Sequence, residues 1–336
     1  MLVAGAAKVE VRKMASTIWL VRQGGPEVLT FEETTEQAPG PGEVWLDQNA
    51  VGVNYLDVQQ RNGAASVPLP SGLGYEAAAR VGAVGPDVVN FSVGDRVAYA
   101  GGPIGAYASG RLFPTDRLVR LPDDVSDVDV AAVLFKGITA QYLLKSTYPV
   151  GPGKVMLLYG AAGGVGQIMA RWAKHLGAYV IGVVSEGKED VARAAGCDAV
   201  LVWGAVDLPT EVVKLTDGRK ADVVYDSIGR QTFEASLDSL RSRGMLVSFG
   251  TASGPPPPVE LATLNKKGSL FLTRPSVFAY TADAGEYRQR AADVLAALAA
   301  GIIQASVWKT FPLAEVAKAH TAIESRQSSG AIVMRP

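Results

Sequence analysis

Apolar positions along this chain change their rhythm twice. From Ser16 to about Val133, short β-rich runs such as "TIWLV", "EVWLDQNAVGV", "AAARVGAV" and "DRVAYA" are separated by Gly, Pro and Asp. That punctuation predicts an antiparallel, barrel-like domain. From about Lys136 to Arg274 strand and helix patterns alternate: "KVMLLYG", a helix to Gly177, "YVIGVVS", a helix to Gly196, then "AVLVW", "ADVVYDSIG", "GMLVSFG" and "GSLFLT". Repeated strand–helix units predict a parallel, doubly wound sheet, and the class is α/β. In "EYRQRAADVLAALAAG", Ala292, Leu295, Ala296 and Ala299 recur at helical spacing before Gly301, and "AIVMRP" closes the chain as a strand. The prolines of "GPPPPVE" at 254–260 lack the N–H a ladder needs, so that stretch predicts a loop.

Composition narrows the classes. A chain of 336 residues suggests two domains, because single cores stop growing near 250 to 300 residues. With 48% hydrophobic and 19% charged residues it has the material for large cores and is not a disordered chain. The net charge is −1, so no overall field recruits nucleic acid or anionic membrane, and a small local ligand is expected. Cys197 is the sole cysteine, which excludes an internal disulfide and a multi-cysteine zinc site and favours a reducing, cytoplasmic setting. Residues 1–15, "MLVAGAAKVEVRKMA", mix charge among apolar positions without a leader-type run and read as an N-terminal extension, with Met14 a candidate start.

The most informative stretch is "VMLLYGAAGGVGQ", 155–167. A strand that ends in small residues and flows into a helix leaves backbone N–H groups facing open space beside the positive end of the helix dipole, which is a phosphate seat. Ala161, Gly163 and Gly166 take the three positions of the dinucleotide fingerprint, with Gly164 as an extra. Taken alone, a glycine triplet can equally serve helix-on-sheet packing; here the strand before it and the helix after it favour a dinucleotide. The end of the second strand bears on which one. Ser185 and Lys188 suit a 2′-phosphate, whereas Glu186 and Glu189 oppose it and would equally suit a solvated helix start. NADPH is the preferred reading.

Several segments carry a family resemblance: "VRQGGPEVL", "GVNYLD", "LPSGLGYEAA", "VGDRVAY", "FKGITAQYLL", "AAGGVGQ", "VVYDSIG", "GMLVSFGTASG", "KGSLFLTRPS" and "ESRQSSGAIV". From Ser16 to the end the chain resembles the zinc-free quinone oxidoreductase, zeta-crystallin-like branch of the medium-chain dehydrogenase/reductases. The resemblance implies a GroES-like catalytic domain over 16–135 and 277–336, and a Rossmann NADPH-binding domain over 136–276. It also implies a homodimer and no zinc. Zinc-dependent relatives carry Cys and His where this chain has Asn54 and Tyr75, which leaves Asp57 and Glu76 without the soft or borderline ligands zinc takes. His175 and His320 fall in predicted helices and are expected on their surfaces.

The resemblance also implies site residues. Asn54, Tyr55, Asp57 and Gln59 would lie near nicotinamide and substrate as the catalytic group, Gln59 standing where bacterial relatives have tyrosine. Asn54 is open to a turn-stabilising role instead, and Tyr55 to core packing. Lys136, Thr139 and Tyr142 would approach ribose and pyrophosphate, with Gly163, Gly164 and Val165 giving backbone contacts. Trp203 matches an adenine-side tyrosine. Gly250, Thr251, Ala252 and Ser253, then Pro275, Ser276, Val277 and Phe278, would run beside the nicotinamide, and Arg326 would approach the adenosine phosphate. Cys197 reads as a small buried residue.

The expected activity is hydride transfer from NADPH to a quinone without a metal, since a delocalised oxyanion needs only donors and positioning. An enone or alkenal reductase of the same fold, and a nucleotide-binding protein without turnover, remain alternatives. The β-rich "KGSLFLTRPSVF" at the last sheet edge invites pairing with a second copy.

Overall fold

The computed structural model describes residues 13–325 and 328–336. The first sheet system is built by the alternating segments. Seven strands run in the order Val307–Pro312, Ala331–Arg335, Glu43–Val53, Glu76–Val84, Arg96–Ala100 and Val119–Arg120, with Gly110–Pro114 pairing to Glu43–Val53. All pairs are antiparallel except Val307–Pro312 with Ala331–Arg335. A three-stranded sheet of Leu29–Thr35, Met14–Leu20 and Ser71–Gly72 packs beside it. Pairing begins at Met14 against Thr35, two residues before the start read from the sequence. The chain's last strand returns to this domain, with Val333 opposite Gly52.

The second sheet has six parallel strands in the order Ala199–Val202, Tyr179–Val184, Val155–Tyr159, Ala221–Asp226, Leu240–Ser248 and Phe271–Thr273. Its central strand Val155–Tyr159 is buried at every position, as expected when helices cover both faces. The direction of winding reverses beside this strand, which is where such sheets open a crevice at the carboxyl ends of their strands. Gly182 explains how closely the layers approach: a Cβ there would stand 2.7 Å from Cys197 Sγ and 2.9 Å from Ala161 Cβ. Cys197 is accordingly buried, and burial pushes its thiol up to about 12.

One helix joins the two units. Asp127–Tyr142 starts at Ser126, whose hydroxyl accepts from Asp129 N, and runs unbroken through 135/136, the expected domain boundary. It packs on Glu43–Val53 and Glu76–Val84 on one side and on Gly164–His175 and Ala284–Ala299 on the other. Among the described residues, no helix is long and apolar enough to cross a membrane.

Candidate active site

The crevice at the winding reversal is a cavity of about 580 Å³, walled on one side by the strand ends and on the other by the Tyr55–Asn62 helix. At one end its floor is the turn after Val155–Tyr159. Gly160 adopts φ +67, and Gly163 is the extended N-cap of the helix Gly164–His175. The first amides of that helix have no partner within it. Gly166 is required by contact, since a Cβ would stand 2.1 Å from Gly160 O; at Gly163 the same atom would be 3.2 Å away. Gly163 and Val165 line the cavity, whereas Gly164 is covered by Lys136 Cδ, 3.2 Å from where its Cβ would be.

The C-terminal segment closes over this turn. Gln167 Nε2 donates to Ala162 O at 2.8 Å and to Ser329 O at 3.3 Å, and Lys188 Nζ donates to Ser328 O at 3.0 Å. Burial lowers the Lys188 ammonium from its usual range. Ser185 is exposed beside it. Trp203 meets Tyr159 edge-on at 5.9 Å. Ser185, Lys188 and Trp203 thus group around the end of the second strand, outside the main cavity. Arg326 lies outside the described residues.

The opposite wall begins at Asn54, the N-cap of the Tyr55–Asn62 helix. Asn54 N donates to Asp57 Oδ2 at 2.9 Å, and Asn54 Nδ2 donates to Glu76 Oε1 at 2.8 Å. Glu76 also accepts from Phe135 N at 2.8 Å and Lys136 Nζ at 2.9 Å. This fully buried carboxylate therefore has three donors, and is not the stranded group that the loss of metal ligands suggested. Lys136 lines the cavity with its charge already matched by Glu76.

Asp57 departs from the catalytic role expected for it. It does not line the cavity; its carboxylate turns back to cap its own helix and accepts from Tyr107 Oη at 2.8 Å. Burial pushes its carboxyl up to about 7, and among the described residues its Oδ1 has no hydrogen-bond partner. Behind it, Tyr107 Oη lies 3.1 Å from His320 Nε2, and Arg61 Nη1 lies 3.5 Å from His320 Nδ1. Arg61 pairs with Glu324 at 2.6 Å. His320 is completely buried, not on a helix surface; burial and the Arg61 charge lower its imidazole to about 3, so it is neutral. His175 is exposed as expected.

The remaining expected residues divide the same way. Asn54, Tyr55, Gln59, Thr139, Tyr142, Gly250, Thr251 and Ala252 line the cavity, as do 275–278. Gln59 Nε2 reaches Thr251 Oγ1 across it at 3.3 Å. Tyr142 stacks on Tyr280 with centroids 4.4 Å apart, and burial raises its hydroxyl. Tyr75, at the position of a histidine ligand in zinc-dependent relatives, accepts from Gln60 Nε2 at 2.7 Å and meets Phe278 edge-on at 5.2 Å. Ser253 instead builds the neighbouring turn, donating to Ile228 O and accepting from Gln231 N.

Tyr159, Ser227, Phe249 and Arg274 line the cavity unanticipated. Each is at or just past the carboxyl end of a parallel strand, and that position alone could have singled them out. Asp226 holds one of these ends in shape by accepting from Ile228 N, Gly229 N, Thr232 Oγ1 and Ser236 Oγ.

A GroES-like sheet system joined through one helix to a doubly wound sheet, with a cleft between them, defines a two-domain dehydrogenase/reductase. Residues 164–297 match the family described as "Zinc-binding dehydrogenase", and 40–123 match "Alcohol dehydrogenase GroES-like domain". The quinone oxidoreductase of Pseudomonas aeruginosa is 45% identical, over 96% of this chain and 100% of that one. The 2-haloacrylate reductase of a Burkholderia species is 44% identical, over 94% and 97%. The crystal structure of Escherichia coli quinone oxidoreductase complexed with NADPH superposes with a TM-score of 0.92, at 40% identity over 96% and 100% of the two chains. The chain belongs to the zeta-crystallin-like quinone oxidoreductase branch of the medium-chain dehydrogenase/reductase superfamily. Despite the first family's description, among the described residues no three His, Cys, Asp or Glu side chains stand together as a metal site.

Proposed function

We propose that this protein is an NADPH-dependent quinone reductase that works without zinc. The observation that carries this reading is the single cleft linking the bare-backbone turn at 160–166 to the Asn54 helix. The turn fits a dinucleotide because a side chain at Gly166 would collide with the backbone beneath it, while the free amides at the helix start face the cleft as a diphosphate seat. Gly163 and Val165 hold the diphosphate, Ser185 and Lys188 the ribose phosphate, and Trp203 the adenine side. Lys136, Thr139 and Tyr142 approach the ribose and pyrophosphate, and Gly250, Thr251, Ala252 and 275–278 run beside the nicotinamide. Crystallised relatives complexed with NADPH support this choice of cofactor.

When bound, the cofactor supplies hydride to the acceptor. Around that chemistry the chain positions and desolvates. Glu76 fixes the Asn54 amide, and Asn54, Tyr55 and Gln59 present donors to an acceptor oxygen, stabilising the oxyanion as it develops. No aspartate, glutamate or histidine of the described residues lines the cleft, so the reduced quinone takes its proton from solvent. Zinc independence rests on donor chemistry: Asn54 and Tyr75 are poor zinc ligands and are committed to Glu76 and Gln60.

The relative named 2-haloacrylate reductase supports activated alkenes as a second acceptor class. The exposed edge strand Phe271–Thr273, with Phe271 open to solvent, supports a homodimer, and the single unpaired cysteine a cytoplasmic setting. Following NADPH absorbance with 1,4-benzoquinone, 9,10-phenanthrenequinone and an alkenal tests the assignment. Turnover with a quinone, undiminished by chelators, is expected; cofactor binding without oxidation by any acceptor would refute it.

A further inference from the structure

The cleft lining is electrostatically one-sided: among the described residues it holds two cations, Lys136 and Arg274, and no carboxylate. The two differ in state. Lys136 is neutralised by Glu76. Arg274, directly after the edge strand Phe271–Thr273, is exposed, and among the described residues it forms no hydrogen bond, ion pair or ring contact. Other arginines of the junction are anchored: Arg117 donates to Thr281 O, and Arg290 to Tyr280 O and Gln141 Oε1. An unanchored guanidinium in a wall continued by Pro275, Ser276, Val277 and Phe278 makes no contact that holds the fold. Its planar fork matches a carboxylate bidentately.

Position distinguishes an acceptor's anion from a cofactor phosphate. Phe278, four residues on, packs edge-on to Tyr75, which is tied to Gln60 of the Asn54 helix. The 274–278 segment therefore sits at the acceptor end, whereas the turn at 160–166 is closed by Lys136 and the 328–330 segment. We infer that Arg274 is an anion subsite for the acceptor, admitting α,β-unsaturated carboxylates to the cleft beside neutral quinones. The inference rests on the reductase reading above.

The chemistry balances with solvent as proton source. A new C–H bond forms at Cβ as hydride arrives, the C=C π pair passes to Cα, and Cα takes a proton from water. The acceptor gains two electrons, which the nicotinamide loses. A free alkenoate resists this addition because it already carries negative charge; a paired guanidinium offsets the charge that builds up.

The test compares wild type, Arg274→Gln and Arg274→Lys on 2-chloroacrylate, its neutral analogue 2-chloroacrylamide, and 1,4-benzoquinone. Alongside, saturation-transfer NMR measures binding of non-reducible propionate against propionamide. For Arg274→Gln, kcat/KM on the acid should fall roughly 10- to 100-fold while the amide and quinone change less than about twofold, as for loss of one charge-assisted contact. Arg274→Lys should keep part of the acid activity, and propionate binding should vanish in Arg274→Gln only. Equal losses on all three acceptors with a raised KM for NADPH would assign Arg274 to a cofactor phosphate and overturn the inference. So would acid turnover indifferent to Arg274. If wild type oxidised NADPH with no acceptor, the reductase reading would fall, and Arg274-dependent propionate binding would still decide the subsite.

Discussion

The two walls of the cleft are made in opposite ways. The phosphate turn, 160–166, is contiguous chain whose function follows from side chains it lacks. The wall around Asn54 is dense with buried polar groups: Asp57, Glu76, Lys136 and His320 are all nearly or wholly inaccessible, and each is held by residues far away in sequence. In the proposed reading the first wall meets its ligand with backbone, and the second holds a few side chains rigid so that they meet an acceptor in one geometry. The contrast predicts different failures, one steric and one electrostatic.

The largest effect is expected from Gly166→Ala. Its new Cβ would stand 2.1 Å from Gly160 O and 2.8 Å from Ala161 Cα, both backbone atoms that cannot swing aside. Overpacking of this kind should cost roughly 3 kcal/mol or more and abolish NADPH binding; a denaturation midpoint equal to wild type would show that the turn yields.

On the other wall, Glu76→Gln leaves Lys136 charged and buried without its counter-ion. A loss of about 3 to 5 kcal/mol is expected in chemical denaturation, with part recovered in the Glu76→Gln/Lys136→Met double variant. Absence of any recovery would mean the pair is not what holds this wall.

Asp57 and His320 sharpen the electrostatic side through pH. Asp57, raised to about 7, gives stability that is full below its unfolded value of 3.8 and lost as pH climbs through 7. His320, lowered from 6.5 to about 3, gives stability that is full above 6.5 and lost as pH falls toward 3. Each is worth on the order of 4 kcal/mol, and their slopes oppose between about pH 4 and 6.5, so wild-type stability should be nearly flat there. Asp57→Asn should make stability rise with pH across that window, and His320→Gln should make it fall. Thermal unfolding from pH 4 to 8 measures both, and parallel curves for the three proteins would contradict the shifts.

A smaller effect belongs to Lys188, at the edge of the phosphate wall. Lys188→Ala should weaken NADPH roughly tenfold, as for loss of a charged contact, and leave NADH nearly unchanged. Equal weakening in fluorescence titrations would remove the phosphate role.

The same contrast decides what was legible in the sequence. The doubly wound sheet and the bare turn after its central strand could be read because strand, small residues and helix follow one another in "VMLLYGAAGGVGQ". The joining helix does not stand out as a unit in the sequence because it runs unbroken through 135/136, where the composition pattern changes. Glu76 read as stranded because its donors come from 54, 135 and 136, and no local pattern announces them. His320 stands four residues after Val316 in "VAKAH", one helical turn on, and shares that buried face with it, a spacing that places it inward. Asp57 was assigned to the acceptor for its motif, yet a carboxylate three residues after an N-cap also suits a return bond to that cap. Arg274 is unmarked within "LTRPS", because only the tertiary structure reveals that, among the described residues, nothing pairs with it.

The central claim is that backbone at 160–166 grips the diphosphate of NADPH. Calorimetric titration of NADPH into wild type and Gly163→Val, whose circular dichroism should match, tests it directly. Saturable binding to wild type and none to the variant is the expected result. Equal affinity for both, or no heat from wild type at millimolar cofactor, would contradict it.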